Sequence, residues 1–194
     1  MIAPPALALA AALAAAPQAP ETATIQLPAG TVVTGTLTAD VDGDGRDDLV
    51  LACRTERGGQ RSLRVHLRQT DGPAFASAPS RPPVPIDRDV VAFAFADCAP
   101  AAGRELVLLT PELVVAATSG ADGAVEYTRL AAHRLVWPAA AAAGVVPLAF
   151  AALDFDGDGR EDLLLPSPDG WAVLLQDRAG DEPGFTRRVE RALP

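Results

Sequence analysis

The sequence predicts an all-β protein made of three repeats of 57 residues, each folded as four antiparallel strands. Three observations support this prediction. The acidic motif DVDGDGRDDL at Asp40–Leu49 returns as DFDGDGREDL at Asp154–Leu163, and 154 − 40 = 114. Halfway between them, at 97 − 40 = 57, the segment DCAPAAGRELV continues the register from Asp97. Short apolar segments flank all three motifs, and a fixed period of this length is typical of repeat architectures.

Each repeat offers four segments of strand length bounded by turn residues. The first strands precede the motifs, at Thr31–Thr38, Val90–Ala96 and Val145–Leu153. The second strands follow the motifs, at 49–53, 106–110 and 163–166. The third strands are predicted at Ser62–Arg68, Leu113–Thr118 and Trp171–Gln176, and weaker fourth strands near 74–78, 125–130 and 185–191.

The segment Ser62–Arg68 alternates between apolar and basic residues, as a half-buried strand does. Leu63, Val65 and Leu67 are predicted to face the core. The opposite stripe is predicted to be a solvated strand face, with an anionic partner as the alternative, and it contains Arg64, His66 and Arg68 together with the nearby Arg61.

The acidic motifs have the spacing of a cation-binding loop. Carboxylates stand at positions one, three, five and nine, with glycine at position six, so that oxygen atoms alternate around a sharp turn. Calcium is commonly wrapped in this way by a loop. The alternative is an acidic surface turn without an ion, and the second copy of the motif makes that alternative weaker.

The motif DxDGDGRxDL resembles that of the FG-GAP/VCBS-type repeats of integrin-alpha-like β-propellers. The resemblance covers the chain after residue 20, divided into repeats at about 21–78, 79–135 and 136–194. In that family each repeat is one blade, and the loop between its first two strands holds calcium. The resemblance therefore implies two calcium sites, with ligands from the carbonyls of Arg46 and Arg160 and the carboxylates of Asp40, Asp42, Asp44, Asp48, Asp154, Asp156, Asp158 and Asp162.

The EF-hand is the rival family, because it shares the first six positions of the loop. An EF-hand needs a bidentate acid at position twelve and a helix on each side. Position twelve is Leu51 in one loop and Leu165 in the other, and both lie in strand-like segments. The helical alternative therefore fails.

The middle loop departs from the motif, with Ala99, Ala101 and Ala102 at positions three, five and six. We predict that this loop, which begins at Asp97, keeps its strands and has lost its ion. Propellers close with four to eight blades, and three repeats are present. The sequence leaves open whether the repeats form an open or incomplete ring, whether a homodimer completes a propeller, or whether the chain is part of a longer propeller.

The N-terminal 20 residues carry no charged side chain and include a continuous apolar run from Ala6 to Ala16. This run is too short to span a bilayer and is typical of a signal peptide at 1–20. A low-complexity disordered tail is the alternative. We therefore expect a secreted, periplasmic or cell-surface protein with no membrane span in the mature chain. A net charge of −9 disfavours nucleic acid as a partner.

The sequence contains no glycine-rich phosphate loop, nucleophile elbow or zinc-binding pair of histidines. Neither His66 nor His133 lies in a catalytic pattern. Trp137 and Trp171 are predicted to pack in the core, with stacking on a sugar as the alternative. We therefore predict a calcium-binding, non-enzymatic module that acts in binding or adhesion, with an unknown protein or glycan as its ligand. The alternative is an accessory domain, or a truncated fragment, of a cell-surface hydrolase or lyase.

The two cysteines, Cys53 and Cys98, are not expected to form a disulfide, although an exported chain favours one. Cys98 lies in the second loop, whereas Cys53 lies five residues along the strand that leaves the first loop. That distance is about 17 Å at roughly 3.3 Å per residue. A disulfide needs Cα atoms within about 7 Å.

Overall fold

The computed structural model describes residues 23–56, 59–71, 74–98, 103–119, 124–134, 152–168, 170–177 and 184–192. The proposed signal peptide, Trp137 and residues 145–151 of one predicted strand lie outside these ranges. No helix that could cross a membrane occurs in the described part of the chain. The strands are β1 (Thr31–Ala39), β2 (Asp48–Thr55), β3 (Arg61–His66), β4 (Val84–Ile86), β5 (Ala92–Ala96), β6 (Glu105–Leu109), β7 (Leu113–Ser119), β8 (Val125–Ala132), β9 (Ala152–Leu153), β10 (Asp162–Ser167), β11 (Gly170–Gln176) and β12 (Phe185–Ala192).

These strands form three antiparallel sheets of four strands, each hydrogen-bonded in chain order. We call them sheet I (β1–β4), sheet II (β5–β8) and sheet III (β9–β12). The prediction of an all-β protein with four-stranded antiparallel sheets is confirmed. Each acidic or degenerate loop connects the first two strands of its sheet, as the sequence predicts.

The fourth strand of sheet I differs from the prediction near 74–78. The strand that pairs with β3 is Val84–Ile86, and residues 74–78 contribute only a single bridge, between Phe75 and Arg68. The strand is three residues long with Pro85 at its centre, so its sequence gives little strand signal. Proline is tolerated there because an edge strand can leave one side of its backbone unpaired.

Sheet II lies between the other two sheets, and its first two strands are buried on both faces. Every residue of β5 and β6 is buried. Alternate residues pack in opposite directions, as the period of two in a strand requires. Phe93, Phe95, Leu106 and Leu108 join the core with sheet I. Ala92, Ala96, Val107 and Leu109 join the core with sheet III.

The basic stripe around β3 is not the solvated face that the sequence predicts. Leu63 and Val65 do pack in the core, but His66 is fully buried and Arg61 is buried as well. Nδ1 of His66 lies 3.0 Å from the carbonyl oxygen of Ala76, which belongs to a segment that folds back over sheet I. Arg61 donates to the carbonyl oxygens of Asp87 and Val90. The prediction was wrong for His66 and Arg61, because these side chains bond to backbone carbonyls that follow β3 in the chain. Arg64 and Arg68 are half-buried.

The remaining sequence predictions have mixed outcomes. His133 is buried, and its Nε2 lies 2.9 Å from the carbonyl oxygen of Pro166, so it links sheets II and III. Trp171 is 43% exposed, which contradicts its prediction as a core residue. Cys53 and Cys98 are both buried, free thiols, in agreement with the expectation that they form no disulfide.

Candidate metal-binding loops

The first acidic loop is curled by backbone hydrogen bonds to Asp40. Its Oδ1 accepts from the N–H groups of Gly43 (2.8 Å) and Asp44 (3.1 Å), and its Oδ2 accepts from Gly45 (2.9 Å). Gly43 and Gly45 have φ of 78° and 82°, a left-handed conformation that glycine adopts at little cost. The acid at position one and the two glycines therefore shape the turn together.

The third loop repeats this arrangement around Asp154. Its Oδ1 accepts from Gly157 (2.7 Å) and Asp158 (3.1 Å), and its Oδ2 accepts from Gly159 (2.9 Å). The two glycines have φ of 81° and 84°. Two segments 114 residues apart in sequence thus fold into the same loop.

Each acidic loop brings three carboxylates together. In the first loop, oxygen atoms of Asp40, Asp42 and Asp44 lie within 4.8 Å of one another. In the third loop the set is Asp154, Asp156 and Asp162, so its third member stands at position nine instead of position five. Each set can hold a metal ion, and the donors in both are carboxylate oxygens, which suit hard cations. Asp48 and Asp158 lie outside these sets, and ligation by the carbonyls of Arg46 and Arg160 stays a prediction.

The arginine at position seven folds back onto the acid at position five. The backbone N–H of Arg46 donates to Oδ1 of Asp44 (2.9 Å), and its guanidinium donates to Oδ2 (3.0 Å from Nε). Arg160 binds Asp158 in the same way through its backbone N–H and guanidinium. The hydrogen bond from the Arg46 side chain lowers the pKa of Asp44, and the same bond raises the pKa of Arg46.

The acid at position nine holds each loop closed. Oδ2 of Asp48 accepts from the backbone N–H of Val41 (2.9 Å), and Oδ2 of Asp162 accepts from that of Phe155 (2.8 Å). Both residues are almost completely buried. Their second oxygens accept from the chain near the end of the third strand, at the N–H groups of Arg68 (2.7 Å) and Gln176 (2.8 Å).

The middle loop makes the equivalent contact. Glu105 takes position nine there, and its Oε2 accepts from the N–H of Cys98 at 2.9 Å. The loop has alanines at positions three and five, yet it keeps the contact. We therefore regard the acid at position nine as a structural clamp first, a role that the sequence reasoning missed. The recurrence of an acid at this position in all three loops was the available signal.

The middle loop contacts both acidic loops. Gly103 approaches the first loop so closely that an added Cβ would lie 2.6 Å from the carbonyl oxygen of Val41. On the other side, Glu161 of the third loop accepts from the backbone N–H of Asp97 (2.8 Å) and forms an ion pair with Arg104. The two acidic loops are thus held at the same edge of the sheets, on either side of a loop crosslinked by hydrogen bonds and an ion pair.

Comparisons with known proteins found no family model, curated protein or solved structure that matches the chain.

Proposed function

We propose that this protein is an exported calcium-binding module of the FG-GAP/VCBS type, whose three sheets act as propeller-like blades in binding or adhesion. The observation that carries the proposal is the pair of loops with the same backbone curl, each with three converging carboxylates. An acidic turn needs no such convergence, and repulsion between like charges opposes it unless a cation is present.

Calcium fits these loops better than the other common metal ions. Calcium takes six to eight oxygen ligands in a flexible geometry, which carboxylates, carbonyls and water supply. Zinc prefers nitrogen and sulfur ligands. Magnesium demands a near-octahedral site and retains several waters, so a loop rich in carboxylates suits calcium best.

The residues of each loop have different roles in calcium binding. Backbone N–H groups fix the carboxylate of Asp40, so its position is set before an ion arrives. The carboxylate of Asp44 is shared with the Arg46 guanidinium, so an incoming cation must compete with that ion pair. Once bound, calcium supplies the positive charge that offsets the crowded carboxylates. Affinity should suit an extracellular module, about 10⁻⁴ to 10⁻³ M or tighter.

Isothermal titration calorimetry of the whole chain tests the proposal. We expect two calcium ions per chain, and Asp44→Ala and Asp158→Ala should each remove one of them. Asp97→Ala is the matched control, because it changes position one of the degenerate loop and should leave the stoichiometry unchanged. Absence of calcium binding by the wild-type chain would contradict the proposal.

Export and partner binding need separate measurements. N-terminal sequencing of protein collected outside the expressing cell should find a chain that starts after the first 20 residues. A glycan array and a protein pull-down, each with and without calcium, should identify a ligand whose binding the chelator abolishes. Retention of the intact N-terminus inside the cell would contradict export.

A further inference from the structure

A cavity of about 200 Å³ lies between sheets I and II. Both sheets, the first loop and the residues just before β6 contribute to its lining, including Leu63, Leu106, Ala117, Val41 and Arg104. Segment 81–84, which leads into β4, forms one side of it. Protein interiors are close-packed and contain few voids larger than a water molecule, so a space of this size calls for a physical explanation.

The repeat accounts for this cavity. Leu106 of β6 pairs with Ala117 of β7, and a shift of 57 residues takes this pair to Leu163 and Leu174, which also pair with each other. Both leucines are buried in the core between sheets II and III. Alanine therefore stands in sheet II at the position where sheet III has leucine, and the smaller side chain leaves space against sheet I.

The inner part of the cavity is apolar. Leu63, Phe95, Leu106 and Ala117 line it, and all four are buried. Phe95 stands where sheet III has Ala152, so an aromatic ring lines the cavity without closing it. A buried water needs roughly two to four polar partners, whereas an apolar cavity of about 150 Å³ stays dry and binds benzene. The inner part therefore suits a hydrocarbon group such as a benzene ring with a short chain.

The rim of the cavity is open to solvent and carries a positive charge. Arg81, Pro82 and Thr118 line the cavity and are exposed. Within the described ranges of the chain, the side chain of Arg81 makes no hydrogen bond or ion pair. Its guanidinium is therefore available to a ligand that enters the cavity.

The other charged residues of the lining are engaged elsewhere. The guanidinium of Arg104 forms an ion pair with Glu161 of the third loop. Oε2 of Glu105 accepts from the backbone N–H of Cys98 at 2.9 Å, and Cys98 belongs to the core that sheet II shares with sheet III. Among the described lining residues, Arg81 is thus the charged group that best suits a ligand of opposite charge.

We propose that this cavity binds a small carboxylate with one apolar group, whose hydrocarbon part lies inside while its carboxylate pairs with Arg81 at the rim. A guanidinium suits this partner because it presents parallel N–H donors to both carboxylate oxygens. The site is formed by the packing of two sheets and uses none of the acidic side chains of the loops. It can therefore be tested separately from calcium binding.

Isothermal titration calorimetry of the whole chain with hydrocinnamate, in buffer that contains calcium, tests the proposal. One molecule should bind per chain with a Kd of about 1 mM or tighter, as expected for a ligand of this size. Arg81→Gln should weaken binding about fivefold, the effect of a well-aligned ion pair at an exposed position. Arg88→Gln is the matched control and should leave the affinity unchanged, because Arg88 is exposed nearby in the chain but does not line the cavity.

Two further measurements separate the apolar contact from the charge pair. Hydrocinnamyl alcohol has the same ring and chain without the carboxylate, so it should bind more weakly and with equal affinity to the wild type and to Arg81→Gln. Ala117→Leu supplies the side chain that sheet III has at this position, so it should fill the cavity and abolish binding of both compounds. Circular dichroism and a melting temperature no lower than that of the wild type should show that this variant folds.

Three results would each overturn the proposal: no binding of hydrocinnamate to the wild type, unchanged affinity in Arg81→Gln, or undiminished binding to a folded Ala117→Leu variant. None of these results bears on calcium binding by the acidic loops, which is measured by a separate titration.

Discussion

The carboxylate at position nine performs one task in three different loops. Asp48, Glu105 and Asp162 each accept a backbone N–H from the second residue of their loop. Burial raises the pKa of Asp48, although its hydrogen bonds to the N–H groups of Arg68 and Val41 act in the opposite direction. A buried acceptor of this kind is stabilising only while its donors are in place.

Replacing Asp48 by asparagine should destabilise the protein, because one of its two oxygens becomes an NH₂ group facing a backbone donor. We expect a loss of about 1–3 kcal/mol, the typical penalty for a buried polar group left unsatisfied. Urea unfolding measures the difference. The neighbouring Asp47→Asn is the control, because Asp47 is exposed and its change should stay within about 0.5 kcal/mol. Equal losses of unfolding free energy in the two variants would contradict the role of Asp48 as a structural clamp.

Cys98 should be inert in the native protein. Burial raises the pKa of its thiol, and the nearby Glu105 carboxylate adds to the effect. The folded thiol therefore stays protonated at pH values where the unfolded thiol ionises, so stability should fall as the pH rises above about 9. Alkylation by iodoacetamide at pH 8, followed by mass spectrometry, should label Cys98 only after unfolding. Rapid labelling of Cys98 in the native protein would contradict its burial.

At the scale of the elements, the position of one loop against the next depends on Gly103. Its φ is 104°, and an added Cβ would meet the backbone of Val41 at 2.6 Å. Gly59 has a φ of 63° but open space around its Cβ position. Substitutions at these two glycines therefore distinguish the effect of backbone conformation on stability from the effect of close packing.

Gly103→Ala should therefore be more destabilising than Gly59→Ala. The left-handed conformation alone should cost Gly59→Ala about 1–2 kcal/mol. Gly103→Ala adds a clash with backbone that has no flexible side chain to move aside, so the first and second loops must separate. Thermal unfolding of both variants measures the difference. Equal melting temperatures would show that the close approach of the loops is unimportant.

At the scale of the whole molecule, calcium should stabilise the fold through both acidic loops. The unfolded chain cannot hold the carboxylates in place, so an ion that binds only the folded chain adds about 2.7 kcal/mol per site at 100 times its Kd. The melting temperature should rise with calcium and fall when a chelator is added. The melting temperature of the double variant Asp44→Ala/Asp158→Ala should not respond to calcium or to the chelator. A wild-type melting temperature that the chelator leaves unchanged would contradict stabilisation by calcium.

The sequence by itself determined the local features of this protein. The 57-residue period, most of the strands, and the loops built on Asp40 and Asp154 follow from residue spacing. Local geometry is set by nearby residues: glycine permits the left-handed turn, and alternating apolar residues make a strand. The short strand Val84–Ile86 was not predicted, because three residues centred on a proline show too little alternation to indicate a strand.

Tertiary structure decided which surfaces are covered. An alternating strand shows that two faces differ, but it does not show what packs on either face. The burial of His66 depends on a segment that folds back over sheet I. Trp171 is exposed because no other sheet of the described part of the chain packs on its face. The clamp at Asp48 likewise became visible only once the loop and β3 were adjacent, because burial and hydrogen bonding are properties of neighbours in space.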